Sequence, residues 1–377
     1  MADIVFDDIS HSYAEAPGRG GGAVPESSYV LRHLDAAFDD GKAYALLGPS
    51  GCGKTTMLNI ISGLITPTEG RVRYDSRDVT KLPTRDRNIA QVFQFPVIYD
   101  TMTVFGNLAF PLRTRKRKAA DIAERVGRIA ELLDLGAVLR RRAANLTPDL
   151  KQIISLGRGL VRDDVAAILL DEPLTVIDPQ RKWQIRRKLR QVHEEFGMTS
   201  IYVTHDQTEA LTFADQVLVM NQGEIVQRGT PEELFARPAH TFVGYFIGTP
   251  GMNILSCELD GDGARVAGHP MPLSAAQRAQ VDAEAGELEL GIRPEFVRLS
   301  DTEDSTETAL PVTVTAVEDH GRFSIASAEL GDAAIKIKYH GGPALRAGDR
   351  ARVHFPAEHT HLYRDGRIVA SDEDRAS

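Results

Sequence analysis

Cysteine is scarce: Cys52 and Cys257 are the two in 377 residues, so no disulfide framework exists and a reducing compartment is expected. No apolar run approaches the roughly 20 residues that cross a bilayer, and nothing resembles a secretory signal. A role at a membrane therefore has to come through partner proteins. Positive charge is not in excess either. The formal net charge of −9 argues against a general affinity for nucleic acid, and the basic clusters Arg113 to Lys118 and Arg140 to Arg142 read most simply as solvated helix faces. In other respects the composition is that of an ordinary soluble protein, long enough for two or three domains that each bury a core.

What is present centres on Gly48-Pro49-Ser50-Gly51-Cys52-Gly53-Lys54-Thr55-Thr56. Every position of G-x-x-x-x-G-K-[ST] is met, between an apolar run, Ala43 to Leu47, that reads as a buried strand and Met57 to Leu64, which reads as a helix. The glycines let successive backbone N–H groups point at phosphate oxygens, and the helix start adds partial positive charge. Lys54 is expected to reach the β- and γ-phosphates, and the Thr55 hydroxyl to sit on Mg²⁺. A glycine-rich turn without a ligand is the bland alternative, and the strand, loop, helix setting argues against it.

Other candidates follow along the chain. Tyr13 ends a strand-like segment, Met1 to Ser12, and is either a ring for stacking on adenine or merely a strand residue. Ala14 to Ser28, rich in Gly, Pro and Ala, reads as a flexible surface insertion. Strand character returns over Tyr29 to Phe38, Arg71 to Tyr74 and Ile89 to Phe93; the last ends at Gln94, whose amide can coordinate a metal and orient a water. Lys116 to Leu135 is an amphipathic helix belonging to a helical lobe. Leu146-Thr147-Pro148-Asp149-Leu150 then opens another helix that closes near Arg162, with Thr147 as N-cap, Pro148 at the first helical position and an acid in the first turn.

Ala166 to Leu170 reads as a second buried strand ending in Asp171-Glu172. Asp171 is expected to hold Mg²⁺ and Glu172 to orient, or take a proton from, an attacking water. Adjacent acids also occur in plain loops. The upstream glycine loop supplies the phosphate these two need. Asp178 precedes a helix, Pro179 to Phe196, whose stripe Trp183, Ile185, Leu189, Val192 and Phe196 is taken as core packing. His205 follows a third strand, Ser200 to Val203, and is placed either to donate a hydrogen bond to a γ-phosphate or to sit in a capped turn. A hairpin across Asn221-Gln222-Gly223 and a capping box, Thr230 to Glu233, opening a helix toward Phe246 complete this part. From Asn253 onward short alternating segments replace the helical periods and predict a small antiparallel β domain; the acidic tail after Ser371 reads as frayed.

Tyr13, the phosphate loop, Gln94, the helix from Leu146, Asp171-Glu172, Asp178 and His205 in this order resemble the ATPase subunits of ABC transporters over residues 1 to about 240. The segments Gly251-Met252-Asn253 and Leu290 to Glu295 are similar to the C-terminal regulatory β-barrel of importers for sugars, polyols and glycerol phosphate. The resemblance implies an α/β P-loop ABC ATPase domain over 1–240, with a helical subdomain at about 95–165, and a small all-β, OB-like regulatory domain over 241–377. It implies ATP and Mg²⁺ as ligands and adenine stacking by Tyr13. It makes Gln94, Glu172 and His205 catalytic, Thr55, Gln94 and Asp171 metal-binding, and Asp178 a dimer contact. It also implies a second ATPase subunit, two membrane permeases and an extracytoplasmic solute-binding protein, with this chain on the cytoplasmic face of the membrane. Phe95 to Phe110 would grip a coupling helix of a permease.

The family signature is usually LSGGQ, where this chain has Leu146-Thr147-Pro148-Asp149-Leu150. The family glycines expose N–H groups to a γ-phosphate of the opposite subunit. Pro148 has no N–H, and Asp149 brings negative charge. A unit charge pair about 5 Å apart at an effective dielectric near 20 costs about 3 kcal/mol, roughly a hundredfold in affinity, before Mg²⁺ or Lys151 offsets part of it. The expectation is a heterodimer in which a partner ATPase supplies a normal signature. The alternative is a homodimer in which the turn only caps a helix. The solute is expected to be a sugar or polyol, possibly glycerol, with glycerol 3-phosphate or maltose as other choices. A nucleotide-dependent regulatory interaction protein is the reading from another class.

Overall fold

The computed structural model describes residues 2–14, 25–260, 263–273, 286–300, 309–341 and 345–369. The insertion expected at 14–28 lies mostly outside these residues, and the tail after Ser371 wholly so. The chain divides into two compact units, 1–231 and 232–377.

In the first unit a six-stranded sheet runs in the order Glu224–Gly229, Gln216–Asn221, Ala43–Leu47, Ser200–Thr204, Ile168–Asp171, Ala90–Val92. Its first pair is antiparallel and every other pair is parallel. A parallel strand covered on both faces has to be apolar along its length. Accordingly every residue of Ala43–Leu47 and of Ser200–Thr204 is buried. Their C-terminal ends, where open α/β sheets bind ligands, lead into the phosphate loop and into His205.

A second, antiparallel sheet is ordered Tyr29–Phe38, Ile4–Ser12, Glu69–Tyr74, Arg77–Asp78. The helix Lys54–Ser62 packs Met57, Leu58, Ile60 and Ile61 into one core with Phe6, Phe38, Tyr44, Val72 and Leu169. Each such side chain contributes about 1.5–3 kcal/mol on burial, which holds the start of the helix against the end of the Ala43–Leu47 strand. Arg87, 2% exposed, donates to the carbonyls of Ile60, Ile61, Thr80 and Leu82 at 2.7 to 3.0 Å. It thereby occupies acceptors that the helix end leaves over.

Val104–Thr114, Ala119–Leu132 and Pro148–Leu160 form the helical lobe. The second is shorter than its pattern, because Lys116 takes a positive φ of 56° just before it. The helix after the phosphate loop starts at Lys54 rather than Met57, so Thr55 and Thr56 stand on its first turn. Pro148–Leu160 ends two residues short of Arg162.

Trp183 is not core. It is 57% exposed, while Ile185, Leu189 and Val192 form the buried face of Pro179–Phe196 together with Arg186 and His193. Residues two apart on a helix do not share a face, so Trp183 and Ile185 could not both point inward. Arg187, one turn on, covers the indole at 6.0 Å.

In the second unit one sheet is ordered His269–Pro272, Gly263–Val266, Asn253–Asp260, Leu288–Ile292, Thr360–Arg364, Arg367–Ile368. The other is ordered Arg298–Ser300, Arg350–His354, Leu310–Asp319, Ser324–Leu330, Ala333–Tyr339. Both are antiparallel throughout. Alternation puts Leu310, Val312 and Val314 inside with Ala326, Ile335, Ile337, Val353 and Leu362. The single helix expected to run from Thr230 to Phe246 is instead two, Pro231–Ala236 and Thr241–Phe246. Pro238, lying between them, lacks the N–H a continuous helix needs. Arg293, 3% exposed, donates to the carbonyls of Leu234, Phe235, Gly244 and Ile247 and stacks on Phe235 at 4.0 Å. These bonds tie the segment after residue 231 to the β unit.

Candidate functional site

The glycines of the phosphate loop are required by its shape. Gly53 takes φ +102°, and a Cβ there would lie 2.4 Å from Leu31 Cδ2; at Gly48 a Cβ would lie 2.2 Å from the Met220 carbonyl oxygen. Within this curl the Lys54 ammonium, 6% exposed, donates to the carbonyls of Gly48 and Pro49 at 2.8 Å each. Burial raises the pKa of the Cys52 thiol, so that side chain packs as a small apolar group.

The structure brings the loop and the strand end together. Thr55 Oγ1 donates to Asp171 Oδ1 at 3.3 Å. Burial, with the adjacent Glu172 carboxylate, raises the Asp171 pKa above the usual carboxylate value, while the Thr55 hydroxyl and Lys54 pull it down. A half-buried carboxylate and a hydroxyl side by side are hard oxygen donors that suit Mg²⁺. Among the described residues no three His, Cys, Asp or Glu side chains gather to hold a metal by themselves.

Glu172 adopts φ +42°, a left-handed backbone that a non-glycine residue rarely takes. Its N–H donates to the Val203 carbonyl at 2.9 Å, holding that conformation. Its side chain meets two partners: His205 Nδ1 at 3.1 Å and the Thr175 hydroxyl at 3.3 Å. Sparsely populated backbone states cluster at functional sites, and this one turns Glu172 toward His205. Buried Glu209 accepts hydrogen bonds from Tyr202 and Thr204, each at 2.9 Å, which stiffens the strand end ahead of His205.

Tyr13 is 60% exposed, with its hydroxyl 3.1 Å from Thr56 Oγ1 and its ring edge-on to His11. The ring is thus anchored beside the loop with a face open. Gln94 is half-buried just past Ala90–Val92, and no hydrogen bond among the described residues joins it to Asp171 or Glu172. Gln152, fully buried, bridges the carbonyls of Phe93 and Pro173 at 3.1 and 2.9 Å, linking the chain on both sides of the site.

At Leu146 to Leu150 the structure corrects one detail. Thr147 is the N-cap by backbone, but its hydroxyl makes no capping bond. Asp149 pairs with Arg181 at 3.3 Å, and Lys151 with Asp100 at 2.9 Å. Asp178 is exposed and caps the helix Pro179–Phe196, its carboxylate accepting from the Gln180 N–H at 2.9 Å. Sequence reasoning missed Arg181, which stands in a run of basic residues without any distinguishing pattern. It missed the support from Glu209 because its partners, Tyr202 and Thr204, lie on the preceding strand.

Phe95, Val97 and Tyr99 are exposed. Val97 lines a cavity of about 300 Å³ whose wall also includes Phe93, Phe110 and Arg158. The Arg158 guanidinium lies 4.8 Å from the Tyr99 ring.

Comparison with known proteins gives matches over most of the chain. The ABC transporter family model matches residues 31–175, and a TOBE domain model matches residues 290–362. The chain is 39% identical to the sn-glycerol-3-phosphate import ATP-binding protein of Cereibacter sphaeroides, over 96% of this chain and 98% of that one. It is 36% identical to the xylose/arabinose import ATP-binding protein of Haloferax volcanii, over 96% and 94%. Among solved structures, cbiO1 from Clostridium perfringens, part of an ABC transporter complex, superposes with TM-score 0.55 at 23% identity, over 62% of this chain and 90% of that one. A nucleotide-free ATP-binding cassette from an ABC transporter gives 0.51 at 24%, over 62% and 93%.

Proposed function

This chain belongs to the ATP-binding subunits of ABC transporters, and on that premise we propose that it couples ATP hydrolysis to import of a small hydroxylated solute, a sugar or polyol. The observation that carries this is the joining of Thr55 to Asp171 and of Glu172 to His205 at the edge of one phosphate loop. The glycine curl and Lys54 bind the triphosphate, and Tyr13 stacks on adenine. Thr55 and Asp171 would hold Mg²⁺, with Gln94 as a further ligand, and the ion would supply positive charge to offset the phosphates. Glu172 orients the attacking water and takes its proton, and His205, beside it, donates toward the γ-phosphate. The relatives named for sn-glycerol-3-phosphate and for xylose and arabinose import share hydroxyl-rich solutes, which supports the class; glycerol fits it too.

No helix of the described residues is long and apolar enough to cross a membrane. In this reading two permeases carry the solute path, the surface from Phe95 to Phe110 docks one of them, and an extracytoplasmic binding protein delivers the solute. The chain works at the cytoplasmic face. Its two domains are the ATPase and a regulatory β domain. Pro148 and Asp149 favour pairing with a second ATPase that supplies an intact signature to this chain's loop, with Asp178 at the contact. The test is co-expression with permeases and both ATPases, followed by solute-stimulated, Mg²⁺-dependent phosphate release. Full activity with this chain as sole ATPase would remove the asymmetric pair, and no activity in any combination would remove the importer reading.

A further inference from the structure

Two cations flank the altered turn at Pro148-Asp149, and their surroundings differ. Lys151 is engaged: its ammonium lies 2.9 Å from Asp100, and its side chain is 23% exposed. Arg181 is 45% exposed, and a single one of its guanidinium nitrogens, Nη1, meets Asp149 Oδ2 at 3.3 Å. Among the described residues the remaining guanidinium N–H groups donate to nothing. Its backbone is fixed in the first turn of Pro179–Phe196, where its N–H donates to the Asp178 carbonyl at 2.9 Å.

We infer that Arg181 is a phosphate ligand in trans: positioned by Asp149, it binds the γ-phosphate of a nucleoside triphosphate seated on the phosphate loop of the opposing ATPase subunit. This rests on the asymmetric pair proposed above and deepens it. An arginine offers five donors in a planar fork, so one edge can hold a carboxylate while another addresses a phosphate. Asp149 alone would present a negative charge to that phosphate. With Arg181 the pair is neutral overall and leaves charge-assisted donors in the region where Pro148 removes a backbone N–H. The second composite site then retains nucleotide although its signature is altered, and Asp149 serves there as a positioning residue.

The test is equilibrium titration of the assembled pair of ATPases with Mg²⁺ and a non-hydrolysable ATP analogue. The wild-type pair is expected to take up two nucleotides. R181Q weakens one of the two sites roughly ten- to a hundredfold and leaves the other unchanged, and R181K recovers part of the loss. The double variant D149N/R181Q stays as weak as R181Q. Wild-type affinity at both sites in R181Q would overturn the inference, as would recovery in the double variant, since that would mean Arg181 only cancels the charge of Asp149. A wild-type pair that binds no nucleotide would overturn the pair itself and this inference with it, so the two failures read differently.

Discussion

The His205 ring nitrogen Nδ1 lies 3.1 Å from Glu172 Oε1, across 33 residues of sequence. The other carboxylate oxygen, Oε2, accepts from the Thr175 hydroxyl at 3.3 Å, so both oxygens are held. Glu172→Gln is expected to keep nucleotide affinity and lower ATP turnover by about 10²- to 10⁴-fold. His205→Ala, which removes both the neighbour of Glu172 and the donor proposed for the γ-phosphate, lowers it by about tenfold or more. Phosphate release and nucleotide binding in the assembled transporter separate the two effects.

Thr55 and Asp171, the two residues proposed to hold Mg²⁺, meet at 3.3 Å. Thr55→Ala and Asp171→Asn are each expected to raise the Mg²⁺ concentration for half-maximal turnover by about tenfold or more. Chelation of divalent ions should silence the wild type.

The phosphate loop and the acids after Ile168–Asp171 were legible because their chemistry is local. A handful of consecutive residue types states both the backbone curl and its ligand. The strands were legible from apolar runs, and the β domain from alternation. What escaped lies between distant residues. The pairing of Asp149 with Arg181 spans 32 positions, and the left-handed backbone of Glu172 comes from its bond to Val203, which no local pattern announces. The stripe from Trp183 to Phe196 does not make one core face, because residues two apart on a helix diverge by about 200°.

In the β unit Arg293 donates to four carbonyls from a buried position. Burial pushes its pKa down to about 10, still far above neutrality, so the charge persists. Arg293→Ala would remove these four bonds, leaving the Gly244 carbonyl only the Met252 N–H at 3.1 Å, and is expected to destabilise this unit by about 3 kcal/mol. Thermal melts that resolve the two units should show the loss in one transition.

His193 is 5% exposed, with Nδ1 3.2 Å from the Ser200 hydroxyl. Burial, helped by Arg190 and opposed by Asp215, lowers its pKa below the usual 6.5. Above that value the ring is neutral in both folded and unfolded chains and its titration contributes nothing. Below it the unfolded chain takes up a proton that the folded one refuses, so stability falls with pH. His193→Gln is expected to remove this part of the slope, measured by urea unfolding at pH 7.5 and 5.5.

The chain carries one tryptophan, and it is the misread Trp183, two residues beyond Arg181 and 57% exposed. The protein therefore contains its own optical probe. Light emitted from this indole reports on a single place, the outer side of the helix that Asp178 caps. Whatever comes to cover that side will shift the emission to the blue, with no label attached.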